Sequence, residues 1–209
     1  MEKNMKEKQK LDGRDTYTPR GVPHGKLIVF GNGGSAADAQ HFVAELTGHF
    51  MKERKALPAI ALTTNTSSLT AIGNDYSYED IFSRQIQALC RKEDYVVGIS
   101  TSGNSTNVVK AIEEANSIGA FTLGFTGKSG GKLLGICGNV FHADSDLTSI
   151  IQEIHITAIH MICSIIDGRA FLSFTKYSLS LSETIFTDVF NRAAGDHGIS
   201  NSGFIRRNQ

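Results

Sequence analysis

Two groups of residues in this chain have the types and spacing to do chemistry. The first is Ser100, Thr101, Ser102, Gly103, Asn104 and Ser105, which follows an apolar stretch and precedes a helical pattern starting near Asn107. A loop so placed meets the free N–H groups and the positive dipole end of the helix, and its four hydroxyls add further donors. Gly103 permits a tight backbone and Asn104 tolerates left-handed geometry, so successive N–H groups converge on one anion. A phosphate fits there without a lysine. The plainer reading of the same letters is a loop ending in a serine N-cap.

The second group is split between two distant segments. His41 and Glu45 lie four residues apart, about 40° around a helix, so an imidazole and a carboxylate share one face in the manner of metal ligands or of an ordinary surface pair. Gln152, His155 and His160 sit among isoleucines in a segment apolar enough to be buried on most sides, where polar groups need partners. Spacing alone does not choose between His155 and His160 as the functional histidine. A third run, Gly31-Asn32-Gly33-Gly34-Ser35, opens another helix but breaks the dinucleotide fingerprint, because Ala36 stands where the last glycine belongs. It still offers backbone donors, with Asn32 and Ser35 adding side-chain groups for sugar oxygens.

These residues need a frame. From residue 26 onward short apolar runs alternate with Gly-rich turns and helical patterns. Strands are predicted at 27–30, 59–62, 95–100, 121–125 and 139–142, and helices at 36–48, 67–72, 80–91, 107–118, 132–136 and 146–166. Near-continuous apolar strands joined by helices make an α/β, doubly wound domain with a five-stranded parallel sheet flanked by helices. Ligands bind such sheets beyond the carboxyl ends of the strands, which directs attention to residues 31–35, 63–66 and 100–105. Residues 1–25 are polar and carry two prolines, so a weakly ordered arm is expected. After the core domain, 26–171, comes an atypical tail, 172–209, with one possible amphipathic helix at 182–194 and disorder beyond Gly195.

Composition narrows the function class. Lysine plus arginine number 21 and aspartate plus glutamate 21, so there is no global basic field to attract nucleic acid or an anionic membrane. No run reaches the roughly 18 apolar residues that a membrane span needs, and a cytoplasmic protein is expected. Cys90, Cys137 and Cys163 are odd in number and widely spaced, which suits reduced, mostly buried thiols better than a disulfide framework.

With these segments in view, the chain strongly resembles the sugar isomerase (SIS) domain family and, within it, the bacterial phosphoheptose isomerases, which act on sedoheptulose 7-phosphate. The resemblance covers about residues 26–171 and rests on GNGGSAADAQHFVAELTG (31–48), AIGNDYSYEDIFSRQ (71–85), GISTSGNS (98–105) and IQEIHITAIH (151–160). It implies zinc held by His41, Glu45, Gln152 and His160, favouring His160 over His155, which becomes a structural residue. It implies substrate contacts from Asn32, Gly33, Gly34, Ser35, Glu45, Asn74, Asp75, Ser100, Thr101, Ser102, Ser105 and Gln152. Glu45 is then the catalytic base and His160 the acid partner in an aldose–ketose interconversion through an enediol, feeding heptose to surface glycans such as lipopolysaccharide.

The resemblance also implies a homotetramer with active sites between subunits. Family members carry a helical segment before the first strand, a pattern that residues 1–25 lack, and the tail helix at 182–194 is a candidate cover for the same surface. His49 departs from the family, which often has arginine there. The competing readings are a non-catalytic SIS protein that regulates a replication initiator, and a sugar-phosphate sensor. Retention of His41, Glu45, Gln152 and His160 favours the enzyme.

Overall fold

A computed structural model describes residues 25–173 and 204–206. Five parallel strands form the body of a six-stranded sheet: β1 (Leu27–Gly31), β2 (Ala59–Ala61), β3 (Tyr95–Ile99), β4 (Phe121–Thr126) and β5 (Asn139–His142), in the order β2-β1-β3-β4-β5, with a short antiparallel strand beyond β5. Between them run α1 (Gly34–Thr47), α2 (Thr66–Asp75), α3 (Ser83–Leu89), α4 (Thr106–Ile118) and α5 (Leu133–Ile136), and α6 (Thr148–Ser173) follows β5. Leu27, Tyr95 and Phe121 share one register row, so the carboxyl ends of β1 and β3 lie side by side. The chain reverses its winding direction there, which opens the crevice where such folds take ligands.

Both faces of the sheet are buried because successive side chains on a strand point opposite ways. Val29, Val97, Ile99, Leu123, Phe125 and Phe141 pack with Phe42 and Leu46 of α1 and with Ile159, Ile162 and Ile166 of α6. Ile28, Phe30, Val96 and Val140 point the other way, onto Ile86, Val108, Ile112 and Leu133 from α3, α4 and α5. Removing a ring such as that of Phe42, which is fully buried, would cost about 3–5 kcal/mol. Thus α1 and α6, the two helices bearing the candidate metal ligands, are neighbours on one face.

The element order matches the sequence reading, with three corrections. The helix expected over 80–91 is divided into a 3-10 turn (Tyr78–Asp80) and α3. Ser77 accepts from the Glu79 N–H and donates to the Asp80 carboxylate at 2.6 Å, and that local side-chain bonding tightens the turn. Disorder was expected beyond Gly195, whereas β6 (Phe204–Arg206) pairs antiparallel with β5, Phe204 opposite Phe141. An edge strand leaves a row of unpaired N–H and C=O groups, and three residues suffice to occupy part of it. Finally, Thr148–Gly168 is long and apolar enough, by length and composition, to cross a membrane. Polar residues interrupt it, and its Ile159, Ile162 and Cys163 are buried against the sheet, as in a core helix. The arm at 1–24 and the tail helix at 182–194 lie outside the described residues.

Cys137 and Cys163 are buried and Cys90 is half-buried. Burial pushes the Cys137 and Cys163 thiols up to about 12 and that of Cys90 to about 11, so all three are protonated at neutral pH.

Candidate active site

The serine loop closes on itself. Ser100, at the end of β3, is buried, and its hydroxyl lies 2.9 Å from that of Ser105 and 3.4 Å from that of Ser102. The Gly103 N–H donates to the Ser100 carbonyl at 2.8 Å, and the Asn104 N–H to Ser102 Oγ at 3.1 Å. Ser105 occupies the N-cap position of α4 yet makes no capping bond, its hydroxyl being turned to Ser100. The capping bond of the plain N-cap reading is therefore absent, and Ser105 joins the start of α4 to the hydroxyls of Ser100 and Ser102. A helix N-terminus beside hydroxyl donors is a candidate anion site.

The loop after β4 braces this arrangement from behind. Gly103 has φ +67, and a Cβ there would run into the Gly130 carbonyl. The Leu133 N–H donates to the Gly103 carbonyl at 3.1 Å, the Lys132 N–H to Asn104 Oδ1 at 3.0 Å, and the Gly127 N–H to the Thr101 carbonyl at 2.8 Å.

Beside it, the glycine loop turns from β1 into α1. Asn32 and Asn107 exchange amide hydrogen bonds at 2.9 Å in both directions, and the Tyr78 hydroxyl donates to Asn32 Oδ1 at 3.1 Å. Asn32 is thus fixed by α4 and by the 3-10 turn. The Gln152 amide from α6 lies so close to Gly34 that a Cβ on Gly34 would strike it.

Two turns along, α1 and α6 meet again. His41 Nε2 is 2.9 Å from Glu45 Oε1 and 3.0 Å from His160 Nε2, and these three residues present ligand atoms within 4.8 Å of one another. Phe50 stacks on the His160 ring with centroids 5.4 Å apart. Two imidazoles and a carboxylate converging from two helices form a donor set that suits a borderline metal such as zinc. The choice between the two histidines is now geometric. His160 joins His41, whereas His155 is fully buried, with its Nε2 3.0 Å from the Thr126 carbonyl. Burial lowers the His155 pKa to about 4, only partly opposed by that hydrogen bond, so the ring is a neutral core group.

The structure brings together Ser100, Ser102 and Ser105 in one cluster, Gly34 and Gln152 in a second, and His41, Glu45 and His160 in a third. Asn74 and Asp75 are exposed at the end of α2, and the Asn74 amide donates to the Asp75 carboxylate at 2.9 Å. His49 is exposed, with Nε2 3.9 Å from Glu53 Oε2. An open groove of about 870 Å³ runs along α1 from Gly33 past Ala37 and His41 to Ala59 and Thr64 on the β2 side.

Sequence reasoning missed Asn107, Tyr78, Phe50 and Asp38. Asp38, one turn before His41, has a carboxyl raised by burial and partly offset by the His41 charge. Its i,i+3 spacing to His41 was the available signal.

The family profile described as SIS domain matches residues 23–127. A probable phosphoheptose isomerase of Thermoplasma acidophilum is 71% identical over 144 residues, which is 69% of this chain and 79% of that protein. The chain belongs to the phosphoheptose isomerase family of SIS-domain proteins. The phosphoheptose isomerase of Aquifex aeolicus is 55% identical over 142 residues, 68% of this chain and 74% of that one. Among solved structures, the phosphoheptose isomerase GmhA from Neisseria gonorrhoeae superposes with a TM-score of 0.65 at 48% identity, covering 69% of this chain and 77% of its own. The family match spans β1 to β4 and so takes in the glycine loop, the serine loop and α1.

Proposed function

We propose that the chain is an aldose–ketose isomerase that converts sedoheptulose 7-phosphate to D-glycero-D-manno-heptose 7-phosphate. The observation that carries this reading is the meeting of His41, Glu45 and His160, the two histidines 119 residues apart in sequence, on a fold whose serine loop is built for an anion. The serine hydroxyls and the α4 N–H groups hold the phosphate, and the glycine loop with Asn32, Ser35 and Gln152 takes the sugar hydroxyls. Along α1, His41 lies about 10 Å from Gly34 at 1.5 Å per residue, a span comparable to an extended seven-carbon sugar.

Glu45 acts as the base. One of its oxygens faces His41, and the other has no partner among the described residues. That second oxygen removes the proton from C1 of the ketose and returns it to C2, while His160 moves the proton between O1 and O2, so the enediol collapses to the aldose with no net change in protons. His41, Glu45 and His160 are the residues that would hold zinc; the family resemblance adds Gln152, whose amide lies at Gly34 in this structure. The bound ion supplies Lewis-acid polarisation of the carbonyl and hydroxyl oxygens.

The protein is read as a cytoplasmic homotetramer with active sites between subunits. In support, the His41 side chain is 45% exposed, and the adjoining groove carries the apolar Val43, Ala44 and Ile60. The test is incubation with sedoheptulose 7-phosphate, with and without chelator, followed by NMR. Aldoheptose 7-phosphate forms with metal and not with chelator. Absence of turnover with added zinc would overturn the reading.

A further inference from the structure

Near the triad lies a buried ion pair for which the chemistry described so far has no use. Arg54 and Asp167 side chains are 2% and 1% exposed, and Arg54 Nε donates to Asp167 Oδ1 at 2.6 Å. Taking two charges out of water is expensive, and such a pair persists only when its remaining donors and acceptors are also satisfied. Here they are. One terminal nitrogen of Arg54 donates to the Glu45 carbonyl at 2.6 Å, and the other to the carbonyls of Leu46 at 2.9 Å, Gly48 at 3.2 Å and Lys55 at 3.1 Å. The second Asp167 oxygen accepts the Met51 N–H at 2.7 Å and the Lys52 N–H at 3.1 Å.

The positions matter more than the number of bonds. The carbonyls of Glu45 and Leu46 are among the last of α1, which have no partner inside the helix, and the guanidinium sits at the negative end of its dipole. Asp167 follows His160 by seven residues, within about 20° of the same stripe of α6. The pair therefore joins the backbone of Glu45 to the helix face that presents His160.

We propose that Arg54 and Asp167 are positioning residues that fix α1 against α6, so that Glu45 and His41 stand in ligand and proton-transfer geometry toward His160. The clamp touches neither substrate nor the reacting groups; it sets the gap between the two helices that carry them. Only arginine has the planar fork that reaches four carbonyls and a carboxylate at once, so lysine cannot replace it. This inference rests on the isomerase reading above.

The experiment compares full-length wild type, Arg54→Lys, Asp167→Asn and, as a stability control on the far side of the sheet, Val140→Ala. Each is measured for zinc affinity by competition with a chromophoric chelator, for kcat and KM on sedoheptulose 7-phosphate, and for thermal midpoint. Zinc affinity is expected to fall roughly 10-fold or more in Arg54→Lys and Asp167→Asn, on the scale seen for residues that orient metal ligands. Their kcat falls with KM little changed, because the serine loop is untouched. Val140→Ala lowers the midpoint and leaves zinc affinity as in wild type. Unchanged affinity and kcat in both clamp variants, or losses no greater than those of Val140→Ala at a matched midpoint, would overturn the proposal while wild-type turnover still upheld the isomerase. Wild type that neither binds zinc nor turns over would sink the reading beneath it, and the proposal with it.

Discussion

The serine loop and the histidine–glutamate triad are built in opposite ways. The loop is six contiguous residues whose hydroxyls and N–H groups bond mainly to one another, with a glycine-rich brace behind. The triad draws His41 and Glu45 from α1 and His160 from α6, and nothing local holds the two halves together. One site is fixed by turn chemistry and the other by helix packing. The proposed anion-binding end is therefore sequence-local, while the proposed reacting end depends on how two long helices are held in register.

Substitutions can break this contrast in order of size. The largest effect is expected from Glu45→Gln, which keeps the shape but removes the proposed base and a carboxylate of the candidate metal site. In steady-state assays kcat falls about 10²–10⁴-fold with KM nearly unchanged, since the phosphate end is intact. Comparable loss of phosphate affinity in this variant would mean that the two ends are not separable. Gly103→Ala attacks the other end, forcing a side chain into a positive φ and against the Gly130 carbonyl. Denaturant unfolding should show a loss of about 2–3 kcal/mol, and KM should rise while zinc affinity holds.

A pH effect follows from the core rather than from either site. The His155 pKa is lowered to about 4, below its value of about 6.5 in an unfolded chain. Between those values the unfolded state binds the extra proton, so stability is full above pH 6.5 and drains as the pH falls toward 4. The loss is about 3 kcal/mol at 1.4 kcal/mol per unit. In His155→Leu that share of the slope disappears from unfolding curves, and the Thr126 carbonyl keeps its bond from the Ala143 N–H. The smallest effect belongs to Ser102→Ala. Its exposed hydroxyl is one of three serine hydroxyls in the proposed phosphate site, so KM should rise only a few-fold, about 1 kcal/mol.

The same contrast explains what could be read from the letters. The strands, the order of elements and the serine loop were legible because period-2 apolar runs and contiguous turn residues encode them locally. Half of the triad was legible too, as His41 and Glu45 one turn apart. His160 was not separable from His155 by spacing, because both lie on one apolar helix and only the packing of α6 beside α1 turns one inward to Thr126 and the other toward His41. Arg54 and Asp167 left no signal at all: an arginine in a polar loop and an aspartate 113 residues away read as surface charges until the fold joins them. Asn107 looked like an ordinary first-turn residue until its amide met that of Asn32. The short strand at Phe204–Arg206 escaped because three residues carry too little pattern to stand out in a polar tail.

The central claim is that Glu45, held with His41 and His160, moves a proton on a sugar whose phosphate is anchored at the serine loop. Its most direct test is NMR of zinc-loaded wild type and Glu45→Gln incubated in parallel with sedoheptulose 7-phosphate. Wild type is predicted to build up aldoheptose 7-phosphate, and Glu45→Gln to retain phosphate binding while forming product at least 100-fold more slowly, the lower end of a general base's contribution. Equal rates in the two proteins, or no product from either, would contradict the account.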